Sequence, residues 1–356
     1  MRRPGIETSS CIKCGSCISA CPVVAAEGVQ RFSGPRSLAV EAPRFLPDIA
    51  VTRDNLLKCT TCWKCEEVCP AGLPLPEAML RIRRLVFSDK EMLEGHRRIA
   101  ENIDGYGRSV VPRGIPDKSS SKETGEVMYF PGCISKERIT SIYESSMSVL
   151  GKSGTDFGVP HGWVCCGAPL EKIGDSKRLR ILREENLTRF EGFGELVTSC
   201  PGCTYHFLMH YGLEPLHTIE FLYESVGLNR LRFKPSVRAT RVALHHPCHL
   251  ARTIGPHVID YAYSILQTVP GVKLVEMADP GSCCGGGGGV VAGYPDIALD
   301  LAIEKMRKAK EAKAELVMAP CPFCVLNLRR VDLLEVVEFT SFLDERLDCV
   351  KSKNKK

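Results

Sequence analysis

No apolar run in this 356-residue chain approaches the roughly 20 residues that span a bilayer, so the chain is not expected to cross a membrane by itself. No secretory leader is expected either. Met1-Arg2-Arg3-Pro4-Gly5 carries positive charge, but no apolar segment follows it. No nucleic-acid-binding motif is present, and no nucleic-acid partner is expected. The net charge of +5 is mild and suits an anionic substrate or an acidic partner, while the basic stretch Lys351 to Lys356 reads as a solvated end. These absences decide how the 19 cysteines are read. Without a leader, the disulfide framework of a secreted protein is set aside. The cysteines are read as thiols in a reducing compartment, there to bind metal. The protein is expected to be cytoplasmic, reaching a membrane only at its periphery and through a partner. At 44% hydrophobic and 25% charged, the composition is that of a globular protein of about two or three domains.

The most telling stretch is Ser282-Cys283-Cys284-Gly285, with glycine continuing to Gly289. Adjacent cysteines suit a disulfide poorly, because neighbouring side chains point apart. They suit two ligands of one polynuclear metal centre, and the glycines let backbone close on a bulky inorganic group. Between Cys248 and this pair lie 34 residues, and between the pair and Cys321-Pro322-Phe323-Cys324 lie 36. The pattern has an earlier copy. Cys133 is followed after 31 residues by Cys165-Cys166, then after 33 more by Cys200-Pro201-Gly202-Cys203. The copies are offset by 115 (133 to 248), 118 (165 to 283) and 121 (200 to 321), so an internal duplication is expected.

Near the start, Cys11, Cys14, Cys17 and Cys21 are spaced C-x2-C-x2-C-x3-C with Pro22 behind them. Cys59, Cys62, Cys65, Cys69 and Pro70 repeat the run. This is the signature of a two-cluster bacterial-type ferredoxin, in which the fourth cysteine of each run serves the other cluster. One [4Fe–4S] cubane is therefore assigned to Cys11, Cys14, Cys17 and Cys69. The other is assigned to Cys59, Cys62, Cys65 and Cys21. A pair of zinc sites would need only two short C-x-x-C pairs for four ligands.

Pro35, Pro43 and Pro47 interrupt the 37 residues between the two runs. Residues 77–103 then read as one helix, with Met79, Leu80, Ile82, Leu85, Val86, Met92, Leu93 and Ile99 at its apolar positions. Arg81, Arg83, Arg84, Arg97 and Arg98 read as a solvated helix face, or alternatively as a docking face. The expected organisation is a helical two-cluster ferredoxin domain over 1–103, a linker over 104–126, and two cysteine-rich domains over 127–235 and 236–356.

Each cysteine-rich copy reads strand, Cys, helix, strand, Cys-Cys, helix, strand, Cys-x-x-Cys, helix. In the first copy the strands are Val127–Phe130, an extended 157–164 and Glu195–Thr198. In the second they are 241–246, 273–277 and 315–318. The fold class is α/β, with the α-rich ferredoxin domain followed by two Rossmann-like βαβαβ units. Crossover helices make the strands parallel. Loops after parallel strands lie on one edge, where ligands bind. The five cysteines of each copy are expected to converge there.

These motifs, together with His246-Pro247-Cys248-His249-Leu250 and Cys321-Pro322-Phe323-Cys324-Val325-Leu326-Asn327-Leu328, resemble the catalytic D subunit of heterodisulfide reductase over nearly the whole chain. The resemblance implies an enzyme that reduces a disulfide, that of coenzyme M and coenzyme B, as part of methanogenesis. It also implies two noncubane [4Fe–4S] clusters as the catalytic sites, each held by a CCG domain. One is carried over onto Cys133, Cys165, Cys166, Cys200 and Cys203, and the other onto Cys248, Cys283, Cys284, Cys321 and Cys324. Cys349 is left without a role. The ferredoxin region becomes the inlet for single electrons, fed by a membrane cytochrome b-type subunit or another electron-donor subunit. An anionic thiol or disulfide is the implied substrate. Two facing clusters could each take one sulfur as the S–S bond opens.

His161, His206, His245, His246 and His249 fall near the predicted ligand loops. Each could donate a proton to a departing thiolate, although a packed histidine is the simpler reading. The 285–289 glycine run lacks the context of a dinucleotide loop, and no flavin or nicotinamide site is read. Two other readings are kept. One is an electron-transfer iron–sulfur subunit of a glycolate, lactate or glycerol-3-phosphate dehydrogenase. The other is a zinc-bound structural scaffold.

Overall fold

The computed structural model describes residues 8–114, 124–236 and 238–348. Two four-stranded parallel sheets form its centre. The first holds β1 (Gly125–Phe130), β2 (Phe157–Gly158), β3 (Phe193–Thr198) and β4 (Leu216–His217), in the order β2-β1-β3-β4. The second holds β5 (Thr240–Leu244), β6 (Val272–Leu274), β7 (Leu316–Met318) and β8 (Glu335–Val337), in the order β6-β5-β7-β8. The order reverses between β1 and β3 and between β5 and β7. Cys133 follows β1 and Cys200 follows β3, while Cys248 follows β5 and Cys321 follows β7. The first and third cysteine motifs of each copy thus lie beside the point where such sheets open a crevice at their C-terminal ends.

Three of the four strands in each sheet match the sequence reading to within a few residues. β4 and β8 go beyond it, since two or three residues carry too little period to register. The segment 157–164 is strand only at its first two residues.

The two halves are interlocked. The helix Thr140–Lys152 of the first half packs on the last helix of the second, Phe339–Arg346. Ser146 Oγ meets Thr340 Oγ1 at 3.0 Å, and Lys152 Nζ meets Asp344 Oδ1 at 2.8 Å. In return, residues 218–226 of the first half pack on His257–Thr268 of the second. There the rings of Tyr223 and Tyr261 stack at 3.9 Å. One apolar core runs through both halves, from Phe130 and Trp163 to Leu266 and Phe342.

The N-terminal region is built of short helices around its cysteine runs. Its last part departs from the reading of one helix over 77–103. It is two helices, α1 (Leu75–Leu85) and α2 (Glu94–Tyr106), parted at 86–93. The buried stripe Met79, Ile82, Val86 would continue at 89 or 90, but Asp89 and Lys90 stand there. The expected linker 104–126 is also partly structure. Asp104 to Tyr106 close α2, and the Gly107 carbonyl accepts from the Cys165 amide at 2.7 Å. Residues 115–123 lie outside the described residues.

Arg83 is neither solvated nor a docking residue, while Arg84 is half-buried beside Glu171. Arg83 is 1% exposed, and its guanidinium donates to four carbonyls: Leu56, Cys59 (2.7 Å), Lys172 (2.6 Å) and Gly288 (3.0 Å). One side chain thereby ties the ferredoxin region to both cysteine-rich halves.

Candidate metal centres

Cys11, Cys14, Cys17 and Cys69 line one small cavity of about 20 Å³ beneath Pro70 and Leu73. Cys21 is crowded instead with the second run. Burial raises its thiol pKa, and the nearby Cys62 and Cys59 raise it further. Cys65 is raised for the same reasons, by burial and then by Cys59, Cys62 and Cys21. The fourth cysteine of each run therefore stands with the other run, in line with the ferredoxin spacing.

The five cysteines of the first copy, Cys133, Cys165, Cys166, Cys200 and Cys203, line a single cavity with Ser109 and Gly132. Those of the second copy, Cys248, Cys283, Cys284, Cys321 and Cys324, line another, of about 230 Å³. The cavities adjoin: Ser109, Ile134, Ala168, Pro169, Gly202 and Phe323 belong to both. The exchange is reciprocal. Phe323, beside Cys324, reaches the first cavity, while Pro201 and Gly202, between Cys200 and Cys203, reach the second. Cys349 lies outside the described residues.

The donor sets fit iron–sulfur groups. All eighteen described cysteines are free thiols, and most are buried. Backbone amides point at several sulfurs: Thr61 at Cys59 (3.4 Å), Ser109 at Cys133 (3.5 Å), Gly285 at Cys283 (3.3 Å) and Gly286 at Cys284 (3.4 Å). Such N–H···S bonds stabilise thiolate charge and tune a bound cluster's potential. Buried polar groups brace the Cys-Cys turns. Asn186 Nδ2 donates to the Cys165 carbonyl at 3.1 Å and Asn327 Nδ2 to the Cys284 carbonyl at 2.6 Å.

The glycine run serves a purpose the sequence did not show. A Cβ on Gly287 would stand 2.6 Å from the Thr60 carbonyl oxygen, and one on Gly288 would stand 2.2 Å from that of Cys59. These glycines let the second cysteine-rich half lie directly against the backbone of the ferredoxin region. Gly285 and Gly286 are the members of the run that meet sulfur, through their amides. At the same seam the Cys62 and Cys283 thiols interact. The interaction with Cys283 holds the Cys62 thiol low and leaves that of Cys283 high.

The five histidines separate. His245 is buried against Cys284 and Cys324. His246 meets the Tyr263 hydroxyl at 2.9 Å. His249 lines the larger cavity, 5.3 Å from the Trp63 ring. His206 is buried 3.4 Å from Glu171, and burial pushes it down to about 4. His161 is exposed on a turn and lines neither cavity. The sequence reading missed Glu171 and Lys172, among the described residues the only Asp, Glu, Lys or Arg side chains on the wall of the larger cavity. A signal existed. At the same distance from the second Cys-Cys pair stand Gly289 and Val290, so the charged pair breaks the repeat.

A two-run ferredoxin region joined to two five-cysteine sites defines an iron–sulfur oxidoreductase. The chain matches the 4Fe-4S dicluster domain over residues 7–73 and the cysteine-rich CCG domain over 127–208 and 242–329. It belongs to the family of iron–sulfur proteins that join these domains, which includes the D subunit of heterodisulfide reductase. It is 34% identical to the B subunit of fumarate reductase (CoM/CoB) from Methanothermobacter marburgensis, over 90% of this chain and 67% of that one. It is 28% identical to the D subunit of dihydromethanophenazine:CoB–CoM heterodisulfide reductase from Methanosarcina mazei, over 91% and 88%. A probable glycolate oxidase iron–sulfur subunit of Bacillus subtilis is 23% identical, over 91% and 88%. No described helix is long and apolar enough to cross a membrane.

Proposed function

We propose that this chain reduces a disulfide, that of coenzyme M and coenzyme B, in the cavity between its two five-cysteine sites. The carrying observation is that this one cavity is walled by all five cysteines of the second copy and by the Pro201-Gly202 turn of the first. Cys133, Cys165, Cys166, Cys200 and Cys203 would hold one noncubane [4Fe–4S] cluster, and Cys248, Cys283, Cys284, Cys321 and Cys324 the other. The two ferredoxin-type sets would hold cubanes. Together these groups would supply one-electron transfer and iron for the two sulfurs of the opening bond. The chain's own residues shape the cavity. Ile99, Val110, Val291 and Leu326 give it an apolar wall that excludes water, and Lys172 gives it one cation for an anionic substrate.

The domains are proposed as 1–103, 104–126, 127–235 and 236–356, with the last two as Rossmann-like copies of one unit. The likeness of strand order between the sheets supports this. A cytoplasmic location and an electron-donor subunit, such as a membrane cytochrome b, belong to the same reading. The names of the relatives support it, since they pair coenzymes M and B with reductase subunits.

The test is an anaerobic assay of the iron-loaded protein with reduced viologen and the coenzyme M–coenzyme B disulfide. Viologen oxidation that depends on the disulfide supports the reading. No turnover with all clusters present overturns it in favour of an electron-transfer role, the one that the Bacillus relative's name suggests.

A further inference from the structure

Glu171 and Lys172 sit in a helix, Ala168–Ile173, that is otherwise apolar, and both are buried. Lys172 Nζ lies 5.0 Å from the Trp63 ring centroid and 5.9 Å from that of Tyr205. Its one polar neighbour is Glu171 Oε2 at 3.4 Å, and it makes no hydrogen bond among the described residues. Glu171 reaches the other way. Its Oε1 meets His210 Nε2 at 2.6 Å, and its Oε2 stands 3.4 Å from His206 Nδ1. His210 lies at the end of the helix Pro201–Tyr211, with its side chain 26% exposed. A file of proton-carrying groups therefore runs from the cavity wall to solvent, with no gap above 3.4 Å and no cysteine in it.

The second copy does not repeat the pair: the same number of residues past its Cys-Cys pair stand Gly289 and Val290, the N-cap and first residue of the helix Val290–Gly293. A buried charge pair is weak evidence of a stabilising role.

We propose that Lys172, Glu171 and His210 form the proton inlet of the inter-site cavity, with Lys172 giving its proton to the sulfur released when a disulfide opens there. This rests on the disulfide reading above. R–S–S–R′ takes two electrons and two protons to give R–SH and R′–SH. One S–S bond breaks and two S–H bonds form. The electrons come from an external one-electron donor, here reduced viologen, and the protons come from water. At each protonation a Lys172 N–H bond breaks and an S–H bond forms, leaving a neutral amine. Glu171 then hands on a proton from His210, and His210 refills from solvent.

The electrostatics suit this order. Burial lowers the Lys172 pKa, easing release. Burial would raise that of Glu171, but the Lys172 charge, ahead of His206 and His210, holds it far below its ordinary value. Once Lys172 is neutral the largest of these lowering influences is gone and burial pulls the carboxyl upward against His206, His210 and Arg84, so Glu171 becomes a better acceptor when one is needed. The other groups facing the pair are Arg83 and Arg84 from α1, Tyr205 and His206 from the helix after Cys200, and Cys248 and His249 from the second half.

The experiment uses the iron-loaded chain, reduced viologen and the coenzyme M–coenzyme B disulfide. His210→Ala should lower kcat about tenfold or more while leaving KM and the EPR signals of the clusters unchanged, and added imidazole should restore it. Lys172→Gln should lose on the order of 100-fold without imidazole rescue. Proton uptake from weakly buffered solution, followed with an indicator dye, should slow in step in both. If His210→Ala loads iron poorly, His210→Gln replaces it, and loss of the dye signal's speed is the expected result. Wild-type kcat and wild-type proton uptake in the variants overturn the inlet alone. So does a loss that imidazole does not relieve in a fully loaded His210→Ala protein, since that marks a packing role. A wild-type protein that reduces no disulfide overturns both the reading of function and the inlet.

Discussion

Cys283 Sγ and the Thr60 hydroxyl oxygen lie 3.4 Å apart, although 223 positions separate them in the chain. The contact sets the second Cys-Cys pair directly against the C-x2-C run of the ferredoxin region, where the Cys62 and Cys283 thiols also interact. Whatever passes between these sites crosses a distance of side-chain contact rather than a gap.

That closeness depends on missing side chains. Gly288→Ala should force the seam apart, because its Cβ would lie 2.2 Å from the Cys59 carbonyl oxygen and φ is +67°. The expected result is a lower Tm and slower viologen-driven turnover at unchanged iron content. Gly212→Ala is the control. Its φ is also positive, at +69°, but it has nothing within 4 Å, so it should show backbone strain alone. Equal effects from the two substitutions would count against the seam.

Arg83→Met should be among the most damaging substitutions outside the cysteines. It strips the donor from four carbonyls in three parts of the chain. Each orphaned buried acceptor costs roughly 1–3 kcal/mol, so a loss on the order of 4 kcal/mol is expected in denaturant unfolding. Arg83→Lys should rescue little, since an ammonium lacks the planar fork that reaches several acceptors at once. Unfolding indistinguishable from wild type would show that the carbonyls find other donors.

Glu338 makes stability depend on pH. It is buried at the start of the helix Phe339–Arg346, where Oε2 accepts from the Thr340 amide at 2.7 Å. Burial raises its pKa from 4.5 to about 7, overcoming the bonds from Thr340 and Ser341 that lower it. A raised folded pKa means the native state holds the proton between about 4.5 and 7 while the unfolded chain has lost it. Stability from this group is full below about 4.5 and falls as pH rises through 7, by on the order of 3 kcal/mol. Tm should therefore be lower at about pH 8 than at about pH 6. Glu338→Gln should flatten that slope, and a slope that survives the substitution would place its origin elsewhere.

Cys284→Ser and Cys165→Ser should separate the two large sites. Each should erase the EPR signal of its own site and abolish disulfide reduction, while the ferredoxin-type signals persist. Cys284 Sγ lies 3.2 Å from Cys324 Sγ, so the first substitution removes a sulfur from the middle of its set. Loss of every signal from one substitution would mean that the sites do not assemble independently.

The sequence was most readable where metal chemistry sets the spacing. The cysteine runs, the repeat and the helical ferredoxin region each leave a regular interval, and the central strands of each sheet carry apolar runs such as Val127–Phe130. The helix over 77–103 failed at Asp89 and Lys90, where the apolar stripe lapses for only one turn. Arg83 read as surface because an arginine on an amphipathic helix usually is; that it reaches carbonyls at 172 and 288 is a property of tertiary packing. The glycine run announced a close approach, read in the sequence as one to an inorganic group; Gly287 and Gly288 instead meet the backbone of Thr60 and Cys59, because a missing Cβ names no neighbour. Glu171 and Lys172 were legible only by laying the two copies side by side.

The reciprocal packing of the halves sets the order in which the molecule can mature. The helix Thr140–Lys152 leaves the ribosome early, yet the surface it rests on, Phe339–Arg346, is among the last of the described residues to emerge. The first five-cysteine site has the same dependence on later sequence, since Phe323 of the second half forms part of its wall.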